Sequence, residues 1–222
     1  MKKQTERISP GFMNKAFFIV LLSALFLTGC RSAVRTSNPH PMTEAYRHVL
    51  DHWQSVESGD KRRGYNIGAV LVDSNGVILS RELNSVIETQ DCTQHAEMRL
   101  IQNYISKHRC FNLNNCIVYT TLEPCAMCAA AMGMAGIKQV YYGQSDPEFG
   151  KAAERLSFDS SQLDGYKPYP RVVQCELLRS PMQEALEKGF RQSGIKEITK
   201  WLATADAKHI FAEYCNQETN IP

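Results

Sequence analysis

Residues Cys116–Ala135 read CIVYTTLEPCAMCAAAMGMA, and their character changes at Pro124. Before it, Cys116–Thr120 is a short apolar run with β-branched Ile117 and Val118 beside Tyr119, the pattern of a buried strand. After it, small residues and methionines run to Ala135. Proline is tolerated where the first N–H groups of a helix lack partners anyway, so Pro124–Ala135 reads as a helix. A strand leading straight into a helix is the repeating element of α/β folds.

Working outward, Lys138–Tyr142 (KQVYY) and Arg171–Leu177 (RVVQCEL) read as two more strands. Between them, Gly143–Pro170 is rich in Asp, Ser, Gly and Pro, a loop long enough to be functional. Upstream, Asn66–Val72 and Val77–Leu83 flank Asp73-Ser74-Asn75-Gly76, and Asn-Gly supplies the positive φ of a tight hairpin turn. Helical spacing runs from Met42 to about Val56 and from His95 to about Lys107, with Asp91 or Thr93 placed to cap the second helix. A further helix carries Met182, Leu186 and Phe190, and short helices follow to Tyr214. The order α-β-β-α-β-α-β-β-α predicts a three-layer α/β sandwich whose five-stranded sheet is partly parallel.

Two motifs carry chemistry: His95-Ala96-Glu97 at one helix start and Pro124-Cys125-Ala126-Met127-Cys128 at another. Cysteines three apart share a face of a helical turn, so both sulfurs can reach one ion. With His95 they form a three-ligand set that leaves the fourth tetrahedral position of Zn²⁺ to water, the arrangement of a catalytic rather than a structural site. Two thiolates balance the charge of the ion, and both helix N-termini favour anionic ligands there. Glu97, two residues from His95, can stay off the metal. It can then carry a proton from the zinc water to a ring nitrogen and on to departing ammonia. Separately, each motif has a plainer reading: His-x-Glu occurs by chance, and Cys-x-x-Cys in an exported chain can be a disulfide or redox pair.

The combined pattern resembles the cytidine deaminase superfamily of zinc-dependent nucleobase deaminases. Thr120-Thr121-Leu122-Glu123-Pro124-Cys125-Ala126-Met127-Cys128, with Val140-Tyr141-Tyr142-Gly143, is similar to the branch of tRNA adenosine, guanine and cytosine deaminases. The likeness runs from about Met42 to Phe190. It implies an α/β/α sandwich around a five-stranded mixed sheet and Zn²⁺ on His95, Cys125 and Cys128. It also implies proton transfer by Glu97, base or sugar contact at Asn84, base contact from the Ala96 backbone, and a homodimer.

The N-terminus reads as an address. Ala16–Leu27 (AFFIVLLSALFL) is uncharged and follows Lys2, Lys3, Arg7 and Lys15. As a helix it is only about 18 Å long, short of a ~30 Å hydrocarbon core. It ends in Leu27-Thr28-Gly29-Cys30, which resembles a bacterial lipobox with Cys30 as the lipidated residue. Met13 is an alternative start. The expected organisation is a signal over 1–30, a polar tether over 31–41, a deaminase domain over 42–193 and a helical extension over 194–222. The expected location is export with a lipid anchor in a bacterial membrane, or the cytoplasm if the signal is not processed.

Composition then narrows the function. The chain has 222 residues, 43% hydrophobic and 22% charged, which excludes a disordered or fibrous protein. Basic residues number 25 against 23 acidic, and without residues 1–30 the formal charge is −1, so no excess of charge captures a polyanion. Lys61-Arg62-Arg63 is the one basic cluster and reads as a solvated turn. These features favour deamination of a free nucleobase or nucleoside. The alternatives are a secreted nucleic-acid deaminase and a non-catalytic zinc module, the latter disfavoured by Glu97. Met127, Met132 and Met134 read as core. Phe149, Tyr166 and Tyr169 are placed either to stack on a base or to anchor the loop. Cys92 reads as a small buried residue, and Cys110 with Cys116 as the best-placed disulfide in an exported chain.

Overall fold

In a computed structural model, residues 40–151, 169–175 and 181–218 are described. The signal region with Cys30, the tether before His40, and Tyr166 lie outside them. Five strands, β1 (Gly68–Val72), β2 (Ile78–Leu83), β3 (Ile117–Leu122), β4 (Gln139–Gln144) and β5 (Arg171–Gln174), form one sheet in the order β2-β1-β3-β4-β5. β1 pairs antiparallel with β2 and β3, while β3–β4 and β4–β5 are parallel. The sheet is therefore mixed, as expected. In the β1–β2 hairpin, Asp73 Oδ1 accepts the N–H groups of Asn75 and Val77, and Gly76 takes φ 82°.

The helices are α1 (Pro41–Asp51), α2 (Ala96–His108), α3 (Ala126–Met134), α4 (Pro181–Ser193), α5 (Ile198–Trp201) and α6 (Ala205–Glu218). Neighbouring residues of a strand face opposite sides of a sheet, and β3 separates the layers accordingly. Thr120 reaches Glu97 of α2, while Tyr119 meets His40, the N-cap of α1, edge-on at 5.5 Å. The interior strand β1 is buried along its whole length because α1 covers one face and α2 the other.

α1 ends at Asp51, five residues before the apolar spacing would carry it, and Val56–Lys61 forms a separate 3-10 turn. Asn66 is the reason. Its Oδ1 accepts Gln54 N–H at 3.1 Å, and its Nδ2 donates to the carbonyls of Gln54 at 2.8 Å and Leu202 at 3.1 Å. These bonds draw Gln54 off the helical path. Asn66 is buried, so Asn66→Ala orphans these buried polar groups. We expect it to cost about 2–3 kcal/mol of stability in urea unfolding.

The C-terminal extension is part of the core. Trp201, Leu202 and Phe211 are buried, and Phe211 meets Tyr46 of α1 edge-on at 4.7 Å and Trp53 at 5.5 Å. Two local expectations are corrected. Asp91 and Thr93 do not cap α2: Asp91 Oδ1 accepts from Thr93 N and Oγ1 within the preceding turn, and His95 is the N-cap. Cys110 and Cys116 are free thiols, as are all seven cysteines among the described residues. Of the three methionines, Met132 is buried as expected, but Met134, the last residue of α3, is 74% exposed.

Candidate active site

Both chemical motifs sit at helix starts that side chains leave uncapped. His95 is the N-cap of α2 and Cys125 the N-cap of α3, and neither makes a side-chain capping bond. The free N–H groups of two first turns therefore face one point, and their partial positive charge favours thiolate there. At that point His95 Nδ1 lies 3.7 Å from Cys125 Sγ and 3.5 Å from Cys128 Sγ, and the two sulfurs are 3.6 Å apart. A disulfide would need about 2.05 Å, so the Cys-x-x-Cys is not an oxidised pair. Tetrahedral zinc, with bonds of about 2.0–2.1 Å to nitrogen and 2.3 Å to sulfur, places its ligands about 3.5–3.8 Å apart. The three edges match that figure. His95, Cys125 and Cys128 fit the ion as they stand.

The first of the comparisons with known proteins agrees with this set: residues 43–144 match the cytidine and deoxycytidylate deaminase zinc-binding region. The tRNA-specific adenosine deaminase of Agrobacterium fabrum is 34% identical over 142 residues, 64% of this chain and 91% of that protein. The chain belongs to the cytidine and deoxycytidylate deaminase family. It is a hydrolytic, zinc-binding deaminase by that membership. A second relative, the tRNA-specific adenosine deaminase of Streptococcus pyogenes serotype M3, is 31% identical over 74% of this chain and 94% of its own. A solved structure from work on A-to-I editing by tRNA:A34 deaminases aligns at 32% identity, covering 61% of this chain and 97% of that one, with a TM-score of 0.48.

In this deaminase, Glu97 is 3% exposed and points inward beside the ligand set. Thr120 Oγ1 donates to its Oε1 at 2.8 Å, and its Oε2 stands 3.6 Å from Cys128 Sγ. Burial pushes the Glu97 carboxyl above the usual carboxylate range. The Cys125 thiol is held down to about 4, first by its hydrogen bond with Cys128 and then by the one with His95. The Cys125–Cys128 hydrogen bond, together with burial, pushes the Cys128 thiol up. The hydrogen bond to Cys125 raises the His95 imidazole, with help from the nearby charge of Glu97.

The ligand set opens onto a cavity of about 600 Å³. Asn84 lines it, and its Oδ1 is taken by Tyr65 N–H at 3.1 Å and Val86 N–H at 3.4 Å. Ala96 is fully buried and does not line the cavity. Phe149, 60% exposed, stands on the rim. Cys92 is corrected from buried to exposed, and it too lines the cavity. Arg63, from the one basic cluster, donates Nε to the Asn84 carbonyl at 2.8 Å and so supports the wall rather than a solvated turn.

Sequence reasoning missed three contributors. Thr120 orients Glu97, and only the alternation of β3 could have indicated it. Glu197 and Thr199 reach the cavity from the C-terminal extension, a long-range contact that no local pattern encodes. The lining includes five carboxylates, Glu97, Glu123, Asp146, Glu148 and Glu197, and no lysine or arginine among the described residues.

Proposed function

We propose that the chain replaces the exocyclic amine of a nucleobase by oxygen at the His95–Cys125–Cys128 centre, with Glu97 as the proton carrier. The observation that supports this reading is a buried, non-ligating carboxylate held beside a three-ligand set that opens on a base-sized cavity. A bound zinc ion supplies Lewis acidity, which makes water nucleophilic near neutral pH. Glu97 carries one proton of the attacking water to the ring nitrogen and the second, from the hydroxyl so added, to the leaving amine. A C–O bond forms, a C–N bond breaks and ammonia departs. Thr120 holds Oε1, which keeps Oε2 on the reacting side. The Asn84 amide nitrogen and the Phe149 ring supply a hydrogen bond and a stacking surface for the base.

For the substrate, the relatives' own activity supports adenosine carried in tRNA as the first reading. The carboxylates of the cavity wall support a second, a free base or nucleoside, because clustered negative charge repels a phosphate backbone. The zinc-loaded protein, incubated separately with an adenosine-containing tRNA hairpin and with free bases and nucleosides, decides between them. Inosine in the hairpin is the expected result. Ammonia from the free compounds alone would replace the first reading by the second, and no product from either would end the deaminase proposal.

Lipid attachment at Cys30 and export are proposals of the same kind. They accord with the second reading, since an exported enzyme meets free nucleosides rather than tRNA. No helix among the described residues is long and apolar enough to cross a membrane. Labelling with a fatty-acid analogue tests the anchor, and a mature chain that keeps residues 1–29 overturns it. The homodimer remains a proposal for analytical ultracentrifugation.

A further inference from the structure

Glu123 stands between the cavity and the metal-ligand turn. Its backbone N–H donates to the Gln144 carbonyl at 2.8 Å, which joins the ends of β3 and β4. Its carboxylate turns to the segment that follows β4: Oε2 accepts Asp146 N–H at 3.1 Å and Oε1 accepts Lys151 N–H at 2.8 Å. Between these two ties the segment folds on itself. Asp146 Oδ1 accepts the N–H groups of Glu148 and Phe149 at 2.9 and 3.0 Å, and the Asp146 carbonyl accepts that of Gly150 at 3.1 Å. Lys151 takes φ 59° to bring its N–H round. Position 150 has room for no side chain, because a Cβ there would collide with Glu123 Oε2 and the Asp146 carbonyl. Asp146, Glu148 and Phe149 line the same cavity as His95 and Glu97, and Glu123 is two residues from the ligand Cys125.

Resting on the deaminase reading above, we propose that Glu123 is a positioning residue. It latches loop 146–151 to the turn that carries Cys125 and so sets the cavity wall formed by Glu148 and Phe149 in register with the metal centre. Only a carboxylate suits both ties. Each oxygen accepts one backbone N–H, whereas the amide of glutamine would turn a donor toward one of them. The latch holds the loop before substrate arrives, so its loss removes binding that substrate and transition state share, which raises KM and spares kcat.

The test compares wild type, Glu123→Gln and Gly150→Ala on whichever of the hairpin RNA and the free nucleosides the wild type turns over. It also measures zinc content and amide hydrogen exchange at residues 146–151. Both variants are expected to keep their zinc, to lose protection of the loop amides, and to raise KM about tenfold while kcat changes less than about twofold. Loop amides as protected as in the wild type would overturn the latch. Faster exchange with unchanged KM would overturn its role in substrate positioning, and zinc lost in step with activity would assign Glu123 to the metal turn instead. Failure of the deaminase reading shows separately, as absent turnover in the wild type, and loop exchange then decides the latch alone.

Discussion

Glu97→Gln is expected to bind zinc as the wild type does and to lose about 10²–10⁴-fold in kcat. The substitution keeps the size of the side chain and its hydrogen bond from Thr120, since the amide oxygen still accepts from Oγ1. It removes the one group beside the ligand set that can take a proton and give it back. The residue is buried against β3 at 3% exposure, so bulk water is poorly placed to substitute for it. Metal analysis and single-turnover ammonia release on the same preparation check both halves. A variant that keeps its zinc and turns over within threefold of the wild type would remove Glu97 from the chemistry.

Cys128→Ala is expected to abolish zinc binding and activity together. Cys128 is fully buried at the point where the other two ligand atoms approach it within 3.5–3.6 Å, so bulk water is poorly placed to take over its coordination. A two-ligand remnant also loses one of the two charges that balance the ion. Zinc should fall from stoichiometric to a small fraction. Thermal stability should fall as well, because an ion bound only by the folded state stabilises that state. Chelation of the wild type should produce the same losses, reversed by added zinc. A Cys128→Ala protein that retains zinc would show that the ligand set has been misassigned.

Much of this was legible in the chain itself. Alternating strands and helices announced the mixed sheet, and Asn75-Gly76 announced its hairpin. His95, Glu97, Cys125 and Cys128 were legible because metal coordination needs particular atoms at particular spacings, and two short motifs supplied them. Less legible was anything made by groups distant in sequence. The end of α1 could not be read from its apolar spacing, since Asn66, twelve residues beyond Gln54, competes for that backbone. Cys92 seemed to be core because free cysteines usually are, yet the turn built on Asp91 places it on the cavity wall. The C-terminal helices read as an extension beyond the deaminase domain, yet Phe211 packs on Tyr46 and Trp53.

Local sequence determined which atoms can bind a metal and which carboxylate can move a proton, because those properties reside in residue types and in the spacing along one helical turn. Tertiary structure decided what surrounds them. It set Thr120 against Glu97, folded the Glu123 latch over loop 146–151, and brought Glu197 and Thr199 to the cavity. Such arrangements depend on strand register and on packing between elements well over a hundred residues apart, such as Tyr46 and Phe211, and neither is written in any single stretch of chain.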